Sequence, residues 1–291
     1  MDLALRRRFF AEEIEAVAKL RSPALVDALA CVPREQFLPP GPWSVLAEAD
    51  FTGIGMAPMK TRLTPDADPA RVYHNIAIAI DADRQLFNGQ PATLAPWIDA
   101  LELGPGSRAL HVGCGPGYYT AVIAACVGEG GRVLALEADE GLAGTARGNL
   151  ASMPWVEVRA DASSQLAGET FDAILMNAGV THPLDAWLDA LPSGGRLVLP
   201  MTSTKVPMGN IGKGLVFLLT KNADGGFAAG IAGFVAIFSA IGIRDDFLNA
   251  SLGKALMTGP QQWQAVTRLR RDPHDPGLSC WLHGPSFCLS K

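Results

Sequence analysis

Three glycines that alternate with other residues form a turn that could bind a nucleoside-containing ligand through the backbone. Gly113, Gly115 and Gly117 come directly after the largely apolar run at 109–112. Glycine lets the chain turn sharply at the end of a strand and brings backbone N–H groups close to a ligand. The run at 119–124 predicts a helix, whose N-terminal N–H groups favour negative charge. The pattern therefore predicts a buried strand, a binding turn and a helix.

An acidic residue, Glu137, follows this turn at the end of the next predicted strand. Residues 132–136 form a second apolar run that ends on Glu137. Nucleotide-binding folds place an acid at about this separation to hold the ribose hydroxyls. The glycines follow the spacing G-x-G-x-G, in which the third glycine comes one position earlier than in the dinucleotide pattern G-x-G-x-x-G. This spacing favours S-adenosylmethionine over NAD, so an NAD oxidoreductase is the least favoured enzyme class.

Two more predicted strands extend the pattern into an open sheet. Residues 156–159 predict a third strand that leads into Asp161, and residues 171–177 predict a fourth strand that ends on Asn177. In open parallel sheets the ligand lies in the crevice at the carboxyl ends of the strands, which is where Asp161 falls. The alternative interpretation of Asp161 is an ordinary surface turn. Alternating strands and helices over about 71–220 predict a doubly wound α/β fold with right-handed crossovers.

Several separate segments carry a resemblance to a known family. They are residues 22–29, the V-P-R-E-Q-F-L-P segment at 32–39, Gln90-Pro91, the turn at 113–117, Glu137, Asp161 and the L-P-S-G-G-R-L-V-L-P segment at 191–200. Over most of its length the chain resembles the protein-L-isoaspartate O-methyltransferase family of class I methyltransferases.

The resemblance implies a fold and a division of the chain. The implied fold is a Rossmann-like methyltransferase with a doubly wound, mostly parallel seven-stranded sheet, an antiparallel C-terminal hairpin, an N-terminal helical cap and an extra C-terminal tail. We expect the helical cap and a lid at 1–70, the core that binds S-adenosylmethionine at 71–243 and the extension at 244–291. Ser22 followed by Pro23 predicts the start of a helix in the cap, and residues 39–69 predict a loop rich in proline, glycine and threonine.

The resemblance also implies an activity, the transfer of a methyl group from S-adenosylmethionine to a peptide or protein carboxylate. Such a carboxylate is ionised at neutral pH and needs no general base, so no catalytic residue is assigned. Glu137 is expected to bind the ribose hydroxyls, Asp161 the adenine and the glycines the amino-acid end. The full set of expected cofactor contacts is His111, Gly113, Cys114, Gly115, Gly117, Glu137, Ala138, Asp161, Ala162 and Asn177. The expected contacts to the methyl acceptor are Asn88, Gly89 and Gln90.

Two departures from the family pattern fall in this site. The family loop reads roughly T-I-S-Q-P, whereas this chain has F-N-G-Q-P at 87–91, so Gly89 replaces a serine. His111 stands where the family has a glutamate, and we interpret it as a packed histidine in preference to a catalytic base. Two alternatives therefore stay open beside the carboxyl methyltransferase: a methyltransferase with a small-molecule acceptor, and a cofactor-binding protein without transfer activity.

Charge and hydropathy patterning bear on location and partners. The chain has 24 lysines and arginines against 29 aspartates and glutamates, a net charge of −5 that gives no electrostatic reason to expect nucleic acid. Arg6-Arg7-Arg8 is followed by Glu12 without an apolar core, so we expect no signal peptide and a cytoplasmic location. Residues 225–243 are uncharged and long enough to span a bilayer. Their glycines and the turn residues at 222–226 predict a β-hairpin instead, and no membrane partner.

The cysteines and the tail complete the sequence-based expectations. Five scattered cysteines argue against a disulfide framework. The tail residues His274, Cys280, His283 and Cys288 are possible metal ligands, but they lack the close paired spacings of a zinc site, so we expect no metal. The tail predicts a helix at 247–256, a helix or strand at 263–269, and strands at 280–282 and 287–289. Nothing in the sequence indicates an oligomeric state.

Overall fold

The structure, a computed structural model, describes residues 2–46, 61–161, 166, 168–205 and 210–291. The chain divides into two compact units. The first unit comprises Met1–Ser107 and Cys114–Ala160, and the second comprises Arg108–Gly113 and Asp161–Lys291.

The α-helices are α1 (Leu3–Ala18), α2 (Pro23–Cys31), α3 (Pro91–Ala100), α4 (Tyr118–Val127), α5 (Glu140–Asn149), α6 (Asp185–Ala190), α7 (Asp246–Leu256) and α8 (Pro260–Gln264). The strands are β1 (Ser44–Leu46), β2 (Arg62–Leu63), β3 (Ala77–Asp81), β4 (Leu86–Phe87), β5 (Arg108–Val112), β6 (Arg132–Glu137), β7 (Val156–Ala160), β8 (Ala173–Met176), β9 (Arg196–Ser203), β10 (Ile211–Lys221), β11 (Phe227–Phe238), β12 (Arg268–Arg270), β13 (Cys280–His283) and β14 (Cys288–Ser290). Two 3₁₀ helices span Arg34–Phe37 and Pro69–Val72.

Helix α2 of the first unit begins where the sequence predicts. Ser22 is the N-cap of α2: its hydroxyl accepts a hydrogen bond from the N–H of Leu25 at 3.3 Å. Pro23 occupies the first helical position, where its fixed φ suits the helix and its missing N–H leaves no bond unmade. Leu25 and Leu29 are buried as α2 packs against α1 and α4.

The predicted loop at 39–69 contains short strands that the sequence did not show. In the first unit β2, β1, β3 and β4 lie in that order in a small sheet, and all their pairings are antiparallel. β1 and β2 are three and two residues long, too short for alternation to be recognised among neighbouring prolines and glycines. Residues 47–60 of the predicted lid lie outside the described part of the chain.

The strand–turn–helix–strand succession around the glycines is confirmed. α4 begins directly after Gly117, and β6 ends on Glu137 as the sequence predicts. β6 pairs in parallel with β7, in a register from Val133↔Val156 to Glu137↔Ala160. Four consecutive residues of β6, 133–136, are buried, which is typical of a parallel strand covered on both faces.

The sheet of the second unit is mixed, and the expectation of a mostly parallel, seven-stranded sheet is wrong for it. Its strand order is β13-β14-β12-β11-β10-β9-β8-β5, which is eight strands among the described residues of this unit. β8 pairs in parallel with β5 and β9, whereas the other described strands of this unit pair antiparallel. The sheet exceeds the prediction because the short tail strands β12, β13 and β14 continue it by antiparallel pairing.

The predicted hairpin is confirmed. β10 and β11 pair antiparallel from Ile211↔Phe238 to Lys221↔Phe227, with the turn at 222–226 between them. The uncharged run at 225–243 therefore lies largely in a strand. Among the residues that the structure describes, no helix combines the length and the apolar character needed to cross a membrane.

The tail after residue 244 forms the elements expected of it. α7 covers the predicted helix, and β13 and β14 cover the two predicted strands. The segment at 263–269, for which helix and strand were both open, contains the end of α8 and the start of β12. Trp281 of β13 packs against Phe217 of β10 with ring centroids 5.7 Å apart, which joins the tail to the core of this unit.

Candidate functional site

The glycine turn has the backbone that its sequence predicts. Gly115 and Gly117 of the first unit have φ values of +55° and +99°, in the left-handed region that favours glycine. A Cβ on Gly117 would also lie 2.8 Å from Cδ1 of Leu150. The N–H of Cys114 donates to the carbonyl of Leu136 at 3.1 Å, which fixes the start of the turn to β6.

Glu137 is held against this turn by two backbone hydrogen bonds. Its Oε2 accepts from the N–H of Gly115 at 2.7 Å, and its Oε1 accepts from the N–H of Asp139 at 3.1 Å. A carboxylate has about four lone-pair positions, so two or so stay available for hydroxyl donors. The side chain is half-buried, whereas the neighbouring Ala138 is exposed. The structure thus brings together the glycine and the acid that the sequence paired.

Asn149 also supports the turn, and sequence reasoning missed it. Its Nδ2 donates to the carbonyl of Pro116 at 2.9 Å from the last residue of α5. The bond gives the carbonyl of Pro116 a side-chain donor. An asparagine at a helix end is common, so its spacing from the glycines carried no recognisable signal.

The segment at 88–90, expected to contact the methyl acceptor, is a buried turn of the first unit. Asn88 and Gln90 are each 8% exposed. The Oδ1 of Asn88 accepts from the N–H of Ile78 at 3.0 Å, and the Nε2 of Gln90 donates to the carbonyl of Asn75 at 3.2 Å. The Nδ2 of Asn88 is buried and has no hydrogen-bond partner among the described residues. Asn88 therefore keeps both N–H donors of Nδ2 for a further group.

Gly89 has a backbone that explains why no serine stands there. Its φ is +76°, and a Cβ at this position would lie 2.9 Å from Cδ2 of Leu94. Its carbonyl accepts from the hydroxyl of Tyr119 at 3.2 Å, which fixes the peptide in this orientation. A serine would be strained here unless the turn changed its conformation.

Arg34 organises the same turn, and the sequence assigned it no role. Its side chain is fully buried. Its guanidinium donates to the carbonyls of Val72 and Ile76, each at 2.7 Å, and to the Oδ1 of Asn88 at 3.3 Å. The guanidinium lies 5.7 Å from the ring centroid of Tyr118, within the range of a cation–π contact. The sequence feature that could have drawn attention to Arg34 is its charge within the V-P-R-E-Q-F-L-P segment.

The remaining expected site residues belong to the second unit. Gly113 has a φ of +79°. The Nδ2 of Asn177 donates to the carbonyl of Gly113 at 3.3 Å, and the N–H of Asn177 donates to the carbonyl of Val112 at 2.8 Å. Asp161 is half-buried. Ala162 lies outside the described residues.

Burial keeps two groups near the turn uncharged. His111 is fully buried, and its desolvation lowers its pKa to about 3, so the ring is neutral at physiological pH. This agrees with a packed histidine and gives no positive charge at the end of β5. Burial, assisted by the nearby charge of Glu137, raises the pKa of Cys114 to about 12. Cys114 is therefore a neutral thiol and not a nucleophile.

The structure of the tail shows that the sequence spacing of its histidines and cysteines does not exclude a metal site. The ligand atoms of His274, Cys280, His283 and Cys288 all lie within 4.8 Å of one another. The spacing argument considered separation along the chain alone. In the structure β13 and β14 pair antiparallel and place His283 opposite Cys288, so residues without close paired spacing meet.

The comparisons with known proteins decide the family. The family model described as "Protein-L-isoaspartate(D-aspartate) O-methyltransferase (PCMT)" matches residues 60–219, which is more than half of the chain. The chain belongs to this family. The matched region includes the glycine turn, Glu137 and the segment at 88–90, and the resemblance identified from the sequence is confirmed.

Curated relatives carry the same family name. A protein-L-isoaspartate O-methyltransferase of Methylorubrum populi (strain ATCC BAA-705 / NCIMB 13946 / BJ001) is 34% identical over 194 residues, which cover 65% of this chain and 76% of that protein. A protein-L-isoaspartate O-methyltransferase of Methylorubrum extorquens (strain PA1) is 30% identical over 241 residues, which cover 80% of this chain and 89% of that protein.

Solved structures show the fold. A protein-L-isoaspartate O-methyltransferase matches with a TM-score of 0.58 and 22% identity over 80% of this chain and 66% of that chain. A putative protein-L-isoaspartate O-methyltransferase from Plasmodium falciparum, in complex with S-adenosyl-L-homocysteine, matches with a TM-score of 0.58 and 16% identity over 80% of this chain and 97% of that chain. The chain therefore has the Rossmann-like methyltransferase fold.

Proposed function

We propose that this chain is an S-adenosylmethionine-dependent O-methyltransferase that methylates a carboxylate of a peptide or protein, with an isoaspartyl residue as the first candidate acceptor. The observation that carries the proposal is the 2.7 Å hydrogen bond between Gly115 and Glu137, which joins the glycine turn to the acid of the next strand. Family membership supports the activity, because the family and the curated relatives are named for it.

The residues of the first unit fit the proposed cofactor. Gly115 and Gly117 have positive φ values that favour glycine, and glycine has no side chain that could block a ligand. The lone pairs of Glu137 that are not used by Gly115 and Asp139 suit the two hydroxyls of a ribose. S-adenosylmethionine supplies an electrophilic methyl group when it is bound. Contacts from His111, Gly113, Cys114, Ala138, Asp161, Ala162 and Asn177 stay predictions.

In the proposed reaction the protein positions the acceptor and does not need to transfer a proton. A carboxylate acceptor is already ionised at neutral pH. Its alignment with the methyl group and the exclusion of water then determine the rate. The segment at 88–90 suits that task, because Arg34 and Tyr119 hold it in a buried, fixed turn. The Nδ2 of Asn88, whose two N–H groups have no partner among the described residues, is a candidate donor to an acceptor oxygen.

The glycine at position 89 favours a second function, that of a methyltransferase with a small-molecule acceptor. The resemblance implies a serine where Gly89 stands, and the left-handed backbone here is adapted to glycine. A site without that hydroxyl lacks one group that could bind a peptide carboxylate. A cofactor-binding protein without transfer activity is the third candidate, and it predicts cofactor binding but no methyl transfer to any acceptor.

The division of the chain that the sequence predicts is part of the proposed function. It comprises an N-terminal cap and lid at 1–70, a cofactor-binding core at 71–243 and an extension at 244–291. A cytoplasmic location and the absence of a nucleic-acid partner likewise stay predictions from composition.

A transfer assay tests the proposed acceptor. The chain is incubated with methyl-labelled S-adenosylmethionine and an isoaspartyl peptide, with the same peptide carrying ordinary aspartate as the matched control. We expect label in the isoaspartyl peptide alone. Label in neither peptide, together with label in a small-molecule extract, favours the second function. Binding of the cofactor without label in any acceptor favours the third.

A further inference from the structure

Four side chains that could bind a metal ion meet in the tail of the second unit. His274 lies in the segment between β12 and β13, Cys280 and His283 lie in β13, and Cys288 lies in β14. One nitrogen or sulfur atom of each lies within 4.8 Å of the others. Two thiols and two imidazoles are a common ligand set for Zn²⁺ in proteins.

His274 is oriented by a hydrogen bond on the side of the ring that faces away from the thiols. Its Nδ1–H donates to the carbonyl of Asp272 at 2.8 Å, and its Nε2 lies 3.5 Å from the Sγ of Cys280. Histidine ligands of metals commonly donate their other ring N–H to a carbonyl or a carboxylate, which fixes the tautomer. The arrangement leaves the lone pair of Nε2 directed at the cluster.

His283 supplies a second observation that points to a ligand. Its Nδ1 is buried and has no hydrogen-bond partner within the described part of the chain. A buried ring nitrogen without a partner is costly, because it loses the hydrogen bonds that water provides. The rings of His283 and His274 lie 4.8 Å apart at 82°, so they are crossed and not stacked.

The hairpin fixes the two thiols. His283 is paired with Cys288, and Cys280 is paired with Ser290. Cys288 is fully buried, and Cys280 is half-buried. The N–H of Gly277 donates to the Sγ of Cys280 at 3.4 Å, which holds that sulfur in place.

We propose that His274, Cys280, His283 and Cys288 bind one Zn²⁺ ion in a tetrahedral site that ties the segment after β12 to the β13–β14 hairpin. With Zn–S bonds of about 2.3 Å and Zn–N bonds of about 2.0 Å, the four donor atoms would lie roughly 3.3–3.8 Å apart, so the cluster needs only a small contraction. The protein fills all four positions, which is typical of a structural site.

The site has a route for the ion. A cleft of about 510 Å³ borders it, and His274 and His283 line that cleft together with Asp272 and Asp275. A chelator can enter by the same route, so bound zinc should be removable without unfolding the protein.

The zinc content of the full-length chain tests the proposal independently of methyl transfer. The protein is purified under reducing conditions without chelator, incubated with Zn²⁺, freed of excess metal and analysed by mass spectrometry of the element. We expect about one zinc per chain. We expect Cys280→Ser and His274→Asn to lower zinc affinity by about 100-fold or more, since each removes a direct ligand. Cys31→Ser is the matched control, because Cys31 is a free, exposed cysteine outside the cluster.

Cobalt gives a readout on the wild-type chain that does not depend on whether the variants fold. Replacing zinc by Co²⁺ should produce the visible absorption bands of a tetrahedral ion together with thiolate-to-cobalt charge-transfer bands. A wild-type chain that takes up neither metal when reduced overturns the proposal. Recovery of Cys280 and Cys288 as a disulfide that reforms in the presence of zinc also overturns it, and it identifies a redox pair instead.

Discussion

The glycine turn at 113–117 and the ligand cluster at 274–288 present two ways in which a chain places functional atoms. At the turn the backbone is the functional part, and Glu137 is positioned by an N–H of the turn itself. In the cluster the side chains are the functional part, and strand pairing brings them together. A backbone site has a local sequence pattern that can be recognised, whereas a site built by strand register has none.

Replacing Glu137 is expected to have the largest effect on the first of these regions. Glu137→Ala removes a charged acceptor that makes two backbone hydrogen bonds and would bind the ribose hydroxyls. We expect S-adenosylmethionine to bind about 3 kcal/mol more weakly, which is on the order of 100-fold in Kd. Calorimetric titration measures the change, and Glu140→Gln, at an exposed carboxylate nearby, is the matched control. Unchanged affinity in Glu137→Ala would remove that residue from the site.

Glu137→Ala in the glycine-turn region should leave metal binding by the cluster at 274–288 unchanged. The zinc content of Glu137→Ala is expected to equal that of the wild type, because Glu137 makes its hydrogen bonds within the first unit. A loss of zinc in this variant would show that the two regions depend on one another, and the comparison would fail.

Acid should destabilise the folded chain through the buried His111. The folded-state pKa of His111 is about 3, against 6.5 for an ordinary histidine. Below pH 6.5 the unfolded chain therefore binds a proton at this residue that the folded chain does not. Stability should fall by about 1.4 kcal/mol per pH unit as the pH drops from 6.5 towards 4.

Denaturant unfolding at several pH values measures this slope, with chelator present so that zinc release from the cluster adds nothing. His111→Gln is the comparison variant, because it lacks a titrating group at this position. We expect the variant to lose less stability than the wild type over the same range. Equal slopes would mean that His111 is protonated in the folded state.

A smaller effect is expected at the glycine turn itself. Gly117→Ala forces a Cβ into a residue with a φ of +99° and into contact with Leu150. We expect a loss of about 1–2 kcal/mol in the free energy of unfolding. Gly144→Ala is the control, because Gly144 lies inside α5 with open space around its Cβ and should be stabilised by its higher helix propensity. Equal changes in the two variants would show that the turn does not require glycine.

The smallest expected effect is at the acceptor turn. Gly89→Ser meets both a positive φ and the side chain of Leu94, whose end can move. We expect a loss of about 1 kcal/mol in the free energy of unfolding, and we expect the transfer assay to decide the acceptor. Isoaspartyl methylation that arises in the variant but is absent from the wild type would assign the native chain a different acceptor.

Much of the fold could be predicted because its signals are local. The apolar run before Gly113, the acid at the end of β6 and the N-cap Ser22 each act on the residues beside them, and the structure confirms the elements they predict. The hairpin of β10 and β11 was recognisable because its turn residues lie together at 222–226.

The features that the sequence did not predict depend on contacts between residues that are far apart in the sequence. Arg34 reaches the carbonyl of Ile76 and the side chain of Asn88, and no spacing in the sequence indicates such contacts. The strand count went wrong because nothing in the sequence indicates that the tail strands pair with β11 and continue the sheet. The metal ligands were set aside because their spacing fits no motif, although antiparallel pairing places His283 opposite Cys288.

Calorimetric titration of the wild-type chain with S-adenosylmethionine and, separately, with NAD tests most directly whether the glycine turn and Glu137 form a methyl-donor site. We predict saturable binding of S-adenosylmethionine at one site per chain and no binding of NAD. Binding of NAD, or the failure of S-adenosylmethionine to bind the folded protein, would contradict this account.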